Sequence, residues 1–181
     1  EMGKILEIAP DDLTVRVQAG VKRMALNKKI SSEGLFFSVD PGADATIGGM
    51  TSTGAAGTTT VRYGSMRENV LKLTAVLADG TIIHAGRETR KLSAGYDLTR
   101  LIVGSEGTLG IITKASMRIE KIPESMEFLS YGFKNISEGI EAARRIMTDR
   151  WRPAVIRLYD EADSAKLSSW LNLGVEGVLL V

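Results

Sequence analysis

Chemistry in this sequence concentrates in a run with almost no bulky side chains: Asp40, Pro41, Gly42, Ala43, Asp44, Ala45, Thr46, Ile47, Gly48, Gly49, Met50, Thr51, Ser52, Thr53, Gly54, Ala55, Ala56 and Gly57. Only Ile47 and Met50 are large and apolar, so the run reads as a long loop that contributes little to a core. Its glycines remove a Cβ where a ligand or another backbone must come close. Bare backbone N–H groups, with Thr and Ser hydroxyls, make a donor-rich wall suited to a flat, polar or anionic ligand. The plainer alternative is a glycine-rich surface loop. Neither common nucleotide motif fits: no G-x-G-x-x-G opens a helix here, and no Lys follows a glycine loop as a Walker motif requires.

A second small-residue run, Gly104, Ser105, Glu106, Gly107, Thr108, Leu109 and Gly110, leads into Ile111 and Ile112. A hairpin separates the two runs, and together they suggest two walls of one site. Glu106 has two readings: it faces solvent, or its carboxylate accepts hydrogen bonds that fix the loop backbone.

The segments Asp40-Pro-Gly-Ala-Asp-Ala-Thr-Ile-Gly-Gly49, Val61-Arg-Tyr-Gly64 and Gly104-Ser-Glu-Gly-Thr-Leu-Gly-Ile111, in that order and spacing, resemble the FAD-linked oxidases of the vanillyl-alcohol oxidase type. The likeness is above all to D-lactate/glycolate dehydrogenases and alkyl-dihydroxyacetonephosphate synthases, and with weaker motifs it extends over nearly the whole chain. It implies an α+β fold: part of a two-subdomain FAD-binding domain, with an antiparallel or mixed sheet flanked by helices, followed by the start of an α+β cap domain. It also implies non-covalently bound FAD, held by Asp40 to Thr46, Gly48, Gly49, Thr53 to Ala56 and Glu106 to Ile112. The family's first phosphate-cradling loop and the remaining catalytic groups are expected outside residues 1–181.

Composition sets the bounds. The 181 residues are 44% apolar and 25% charged, an ordinary globular composition sufficient for one or two small domains. A net charge of +1 without a basic block argues against a nucleic-acid binder. Without cysteine there is no disulfide, thiolate metal site, Cys nucleophile or cysteinyl-flavin link, and with His84 as the lone histidine no imidazole cluster. The absence of cysteine fits an intracellular, cytoplasmic protein. No apolar run is long enough for a membrane span, although a peripheral membrane location is compatible with the sequence. No signal peptide is visible, and the chain reads as a piece of a longer protein.

The elements that must position these runs follow in order. Lys4 to Ile8 and Leu13 to Gln18 read as two strands about a Pro10-Asp11-Asp12 turn, with Leu13, Val15 and Val17 on the buried face. A helix over 21–33 ends at Gly34 and turns Val21, Ala25, Leu26 and Ile30 inward. Leu71 to Leu77 and Thr81 to Ala85 flank Asp79-Gly80 as a tight hairpin. His84, on its second strand, reads as structural or surface. Gly95 to Leu98 begins a helix-like turn. After the second run, Ile111, Thr113, Ala115, Met117 and Ile119 alternate with more polar partners as a half-buried strand.

Pro123 marks a boundary, giving an FAD-binding part over 1–122 and a cap part over 123–181, both truncated. In the second part Phe128 to Phe133 reads as a strand. Ser137 caps a helix to Arg150 with Ile140, Ala143 and Met147 inward. Strand Ala154 to Tyr159, a helix over 164–171 and strand Gly174 to Val181 follow. The pattern Arg152-Pro-Ala-Val-Ile-Arg-Leu158 resembles the alkyl-dihydroxyacetonephosphate synthases. That resemblance implies that Arg157 anchors a substrate carboxylate or phosphate through paired hydrogen bonds; the alternative is a surface ion pair with Asp160 or Glu161.

The expected activity is dehydrogenation of a small D-2-hydroxy acid, with hydride passing to flavin and an electron acceptor completing turnover. A homodimer is compatible with this. A redox-neutral alkyl-dihydroxyacetonephosphate synthase-like transferase and a non-catalytic FAD-binding fragment are the alternatives. In the synthases a histidine just upstream of the first FAD segment takes part in activity, and the matching position here is Phe37, which can neither transfer a proton nor donate a hydrogen bond.

Overall fold

The computed structural model describes residues 2–89, 91, 93–171 and 177–180. The chain divides into two compact units, Glu1–Pro123 and Glu124–Val181.

The first unit opens with β1 (Ile5–Ala9) and β2 (Thr14–Gln18), an antiparallel pair closed by a Leu13 N–H to Pro10 carbonyl bond of 3.2 Å. Val15 and Val17 are buried while Thr14, Arg16 and Gln18 are partly open, the alternation that a sheet with one wet face demands. Helix α1 (Arg23–Ile30) is shorter than the sequence suggested and runs into one 3₁₀ turn, Ser31–Glu33, before Gly34. Leu26 and Ile30 are buried, but Ala25 lies exposed with the lysines. Strand β3 (Leu35–Phe36) leads into the first small-residue run.

That run contains a helix, α2 (Ile47–Thr53), with Ile47, Gly48, Met50 and Thr51 all buried. The expectation of a loop with no core role is corrected. Glycine and threonine are poor helix formers, yet two large apolar groups one turn apart outweigh them once buried against a sheet. Short helices α3 (Thr60–Tyr63) and α4 (Met66–Asn69) follow, the second closed by a capping box between Ser65 and Glu68.

Strands β4 (Val70–Val76) and β5 (Ile82–Gly86) form the hairpin expected about Asp79-Gly80, where the Asp79 carboxylate accepts the Thr81 N–H at 2.9 Å. Helix α5 (Leu98–Ile102), strand β6 (Ile111–Arg118) and the short β7 (Glu120–Lys121), paired with β3, complete the unit. The five-stranded sheet has the order β1-β2-β6-β4-β5 and is antiparallel throughout. One face carries Val15, Val17, Leu73, Ala75, Ala85, Ala115 and Met117 into a single cluster with Leu26, Ile30, Ile47, Met50 and Met66.

The alternation along β6 breaks at its start. Ala75 pairs with Ile112 and Thr74 with Lys114, so Thr113 is an extra residue, a bulge. It puts Ile112 in the core and leaves Ile111 67% exposed, the reverse of the expected phase. On the other side of β6 the pairing with β2 runs on unbroken, the Thr113 carbonyl accepting the Ala19 N–H at 2.9 Å.

The second unit contains β8 (Tyr131–Phe133), α6 (Ile136–Thr148), β9 (Leu158–Tyr159), α7 (Glu161–Leu171) and β10 (Val178–Leu180), with the antiparallel order β8-β10-β9. Both of the first two strands are shorter than expected, and residues 174–176 and 181 of the last expected strand lie outside the described residues. Asn135, not Ser137, caps α6, accepting the Glu138 N–H at 3.0 Å. The inward face of α6 is also corrected. Gly139 is buried, while Ile140 and Met147 are 56% and 46% exposed. Leu158 and Val178 pack so tightly on Gly139 that a Cβ there would lie 2.6 Å from Leu158 Cδ1. A close approach at glycine set the helix rotation, and a count of apolar residues cannot register it.

Candidate cofactor site

The first run is anchored at its start by its two carboxylates. Asp40 accepts its own loop's Gly42 N–H at 3.0 Å and pairs with Arg23 at 3.3 Å. Asp44 accepts the Met24 N–H at 3.0 Å, at the first turn of α1, where a negative charge is favourable. Pro41 to Asp44 arch outward between them, with Gly42, Ala43 and Asp44 exposed. Ala45 then returns to the core, its carbonyl accepting the Arg23 N–H at 3.0 Å.

Thr46 caps α2 through its hydroxyl, which accepts the Gly49 N–H at 3.2 Å. The N–H groups of Ile47 and Gly48 go to the carbonyls of Val21 and Ala19, at 2.8 and 2.7 Å. The hydroxyls of Thr51 and Thr53 donate back to Ile47 and Gly49, at 2.6 and 3.1 Å. Much of the expected donor wall is therefore spent inside the protein. Gly48 is required by protein packing, since a Cβ there would sit 2.5 Å from Ala19 Cβ. The run ends folded on its own beginning: a Cβ at Gly57 would strike the Asp40 carbonyl, and the Thr59 hydroxyl donates to the Ser38 carbonyl at 2.6 Å.

The two small-residue runs meet. The Gly104 N–H donates to the Thr51 carbonyl at 3.0 Å and the Glu106 N–H to the Ser52 carbonyl at 2.9 Å, so the second run satisfies the free carbonyls at the end of α2. Gly54, in the left-handed region at φ 62°, faces Gly104 so closely that its Cβ would lie 3.3 Å from the Gly104 Cα. Ala55 packs on the core beside this junction, and Ala56 is exposed.

Glu106 holds the loop by its backbone. It has φ 50°, is exposed, and its carboxylate accepts no hydrogen bond among the described residues, so the carboxylate-anchor reading is corrected. The Thr108 hydroxyl closes the turn on the Ser105 carbonyl at 2.6 Å. Leu109 and Ile111 are exposed, Gly110 lies against the Val76 carbonyl, and Ile112 is buried.

Two side chains that carry no local sequence signal support this junction. Arg67 donates from Nη1 to the Arg100 carbonyl at 3.1 Å and from Nη2 to the Val103 carbonyl at 3.3 Å, fastening the end of α5 just before Gly104. Asn27 brackets Phe37, accepting its N–H at 2.7 Å and donating to its carbonyl at 3.2 Å. Phe37 itself is 1% exposed, in the core. His84 is exposed on β5, with Nδ1 3.0 Å from the Thr74 hydroxyl of the neighbouring strand.

Arg157 belongs to the second unit, immediately before β9. It is exposed and donates to the Tyr159 hydroxyl at 3.4 Å, with no ion pair to Asp160 or Glu161 among the described residues. Asp160 instead caps α7, accepting the Asp163 N–H at 2.8 Å.

What the junction can offer a ligand is backbone. Among the described residues the N–H groups of Ala43, Asp44, Ala56, Gly107 and Leu109 have no protein partner. Nothing lies within 4 Å of where a Cβ would stand at Gly42 or Gly107, both at positive φ. Unspent donors beside open glycines fit a cofactor with a flat heteroaromatic ring and an anionic diphosphate. No group of acidic residues able to hold a metal ion occurs among the described residues.

Comparison with known proteins agrees. The family model of an FAD binding domain matches residues 1–86. A probable mitochondrial D-lactate dehydrogenase of Danio rerio is 49% identical over 150 residues, covering 81% of this chain and 30% of that protein. The glycolate oxidase subunit GlcD of Bacillus subtilis is 36% identical over 186 residues, covering 99% of this chain and 40% of its own. Among solved structures, an alkyldihydroxyacetonephosphate synthase superposes with a TM-score of 0.81 at 26% identity, over 99% of this chain and 36% of that one. The chain thus spans between 30% and 40% of the length of these proteins. With an antiparallel sheet flanked by helices, and two glycine-rich runs joined at the end of α2, the chain carries an FAD binding domain match over residues 1–86 and is similar over most of its length to FAD-linked oxidoreductases.

Proposed function

We propose that the full-length protein is an FAD-dependent dehydrogenase of a small D-2-hydroxy acid. The observation that carries this is the junction of the two small-residue runs, with its unspent N–H donors, in a chain 49% identical to a D-lactate dehydrogenase over 150 residues. FAD, held non-covalently, would supply the hydride acceptor. The Ala43, Asp44, Ala56, Gly107 and Leu109 amides would hold and orient it, while Gly42 and Gly107 leave it room. Arg157 would grip the substrate carboxylate with its planar fork; among the described residues its only side-chain hydrogen bond is the long one to Tyr159, so the guanidinium has donors to spare.

Burial of Phe37 favours this reading over a synthase-like transfer. At 1% exposure, in the aliphatic cluster, that position has no route to a reacting atom and no proton to give. For compartment, the cysteine-free composition supports the cytoplasm; the Danio rerio relative is named as mitochondrial. No helix among the described residues is long and apolar enough to cross a membrane.

The test uses full-length enzyme in two assays. One offers D-lactate or glycolate with an artificial electron acceptor; the other offers acyl-dihydroxyacetonephosphate with a fatty alcohol. Acceptor reduction in the first is expected. Ether-lipid product in the second, with none in the first, would reverse the assignment.

A further inference from the structure

We propose that the first unit holds a second ligand site, for a small oxyanion of the phosphate or carboxylate type, in a cavity of about 190 Å³ beside α5. It is independent of the flavin reading, because none of the residues of the two small-residue runs lines it. The polar and charged walls that matter are Glu68, Arg87, Asp97, Thr99, Arg100 and Arg118, brought together from α4, the end of β5, α5 and the end of β6.

The argument rests on which hydrogen-bonding capacity is already used. Glu68 accepts the Ser65 N–H at 2.7 Å and the Ser65 hydroxyl at 2.6 Å. Asp97 accepts the Arg100 N–H at 3.0 Å through one oxygen and Arg100 Nη1 at 2.6 Å through the other. Asp97 is thus committed through both oxygens and Glu68 through Oε2. The donors are not. Among the described residues Thr99, 3% exposed, has a buried hydroxyl with no hydrogen-bond partner, and Arg118 has a buried Nε–H with none. Arg118 spends Nη2 on Glu120 at 2.6 Å, and Arg100 spends only Nη1 on side chains. Arg87 forms no ion pair among the described residues.

A guanidinium has five N–H groups and no acceptor. The surplus in this cavity is therefore a surplus of donors, and a ligand that satisfies it must present several acceptors; Arg87, whose charge no ion pair offsets among the described residues, favours an anionic one. A group without acceptors, such as an ammonium, would leave the buried Thr99 and Arg118 donors as they are.

The experiment titrates full-length, FAD-saturated protein calorimetrically with inorganic phosphate and, separately, with acetate. Saturable binding of either, at one site per chain, is expected, and whichever binds identifies the class. Arg87→Met, at an exposed side chain, and Thr99→Val, which keeps the buried shape, should each weaken that binding at least tenfold while the far-ultraviolet spectrum stays unchanged. Failure of both anions to bind overturns the site. So does binding that survives Arg87→Met, or binding seen only in flavin-free protein and abolished by FAD, which would assign the cavity to the cofactor. Should the full-length protein hold no flavin at all, the flavin reading fails, and the same titration on the protein as purified still decides this one.

Discussion

Gly48 lies where a methyl group has no room, and the neighbour that denies the room is Ala19 of the protein itself. A glycine in a cofactor-binding run is easily credited to the cofactor, and here that credit is misplaced. Gly48→Ala should therefore cost about 1–3 kcal/mol of overpacking, and should do so equally in flavin-free and flavin-loaded protein. Gly107 is the contrast: its Cβ position is open, so in flavin-free protein alanine there adds only left-handed strain of about 1–2 kcal/mol, and a further loss should appear with FAD, for which that glycine leaves room. Urea denaturation with and without FAD checks both; a Gly48→Ala defect confined to the loaded protein would return that glycine to the cofactor. Arg157 makes the opposite prediction. Arg157→Lys should leave the melting temperature nearly unchanged and lower kcat/KM by an amount equivalent to about 1.5–3 kcal/mol, because lysine keeps charge but loses the paired fork. Unchanged steady-state kinetics would leave Arg157 as a surface residue beside Tyr159.

At the scale of elements, what could be read from sequence was whatever local chemistry decides. The Asp79-Gly80 hairpin needs only its turn residues and two β-rich flanks. The alternation of β2 needs only a wet and a dry face. Helix α2 was missed because its glycines and threonines argue against a helix, while the burial of Ile47 and Met50 that overrides them belongs to the assembled core. Helix α5 is only half legible, since Leu101 to Val103 give just a short apolar run until Asp97 is known to cap the turn, accepting the Arg100 N–H. The bulge at Thr113 and the reach of Arg67 to the Arg100 and Val103 carbonyls have no local signal at all. The sequence suggests that the two small-residue runs lie together, and they meet; it could not say that backbone pairing between Thr51–Ser52 and Gly104–Glu106 would join them. The capping box at α4 gives a pH prediction. Hydrogen bonds from Ser65 hold the Glu68 carboxyl below its ordinary value of 4.5. A lowered folded value means that the contribution is complete above the unfolded value and vanishes as pH falls through the folded one. Glu68→Ala should thus cost on the order of 1 kcal/mol at neutral pH, and the gap from the unmodified protein should close below pH 4.5. A gap that persists undiminished under acid would mean that packing, not the carboxylate, supplies the effect.

For the molecule as a whole, the two units differ in how much they bury. The first encloses a continuous cluster from Val15 to Ile119, with Phe37, Leu26, Ile47, Met50, Leu73 and Met117 fully inside. Among the described residues of the second, the large side chains that are buried are those of Val178 and Leu180, and Trp151, Trp170 and Phe128 are each more than 75% exposed. Its sheet has three short strands, each held by few ladder bonds. Stability is not uniform across such a chain, because local opening costs least where few apolar contacts and short ladders resist it. Small units are marginal for the same reason: surface grows relative to buried volume. Hydrogen exchange followed by mass spectrometry on the 181-residue chain should therefore find amides of β4 and β6 protected longest, with β8 and β9 exchanging earlier by a factor of at least about ten, equivalent to about 1.4 kcal/mol less opening free energy. Lowering the temperature toward the maximum of stability should slow both without reversing their order. Equal protection of Tyr131–Phe133 and Val70–Val76 would show that the second unit draws its stability from something other than its own core.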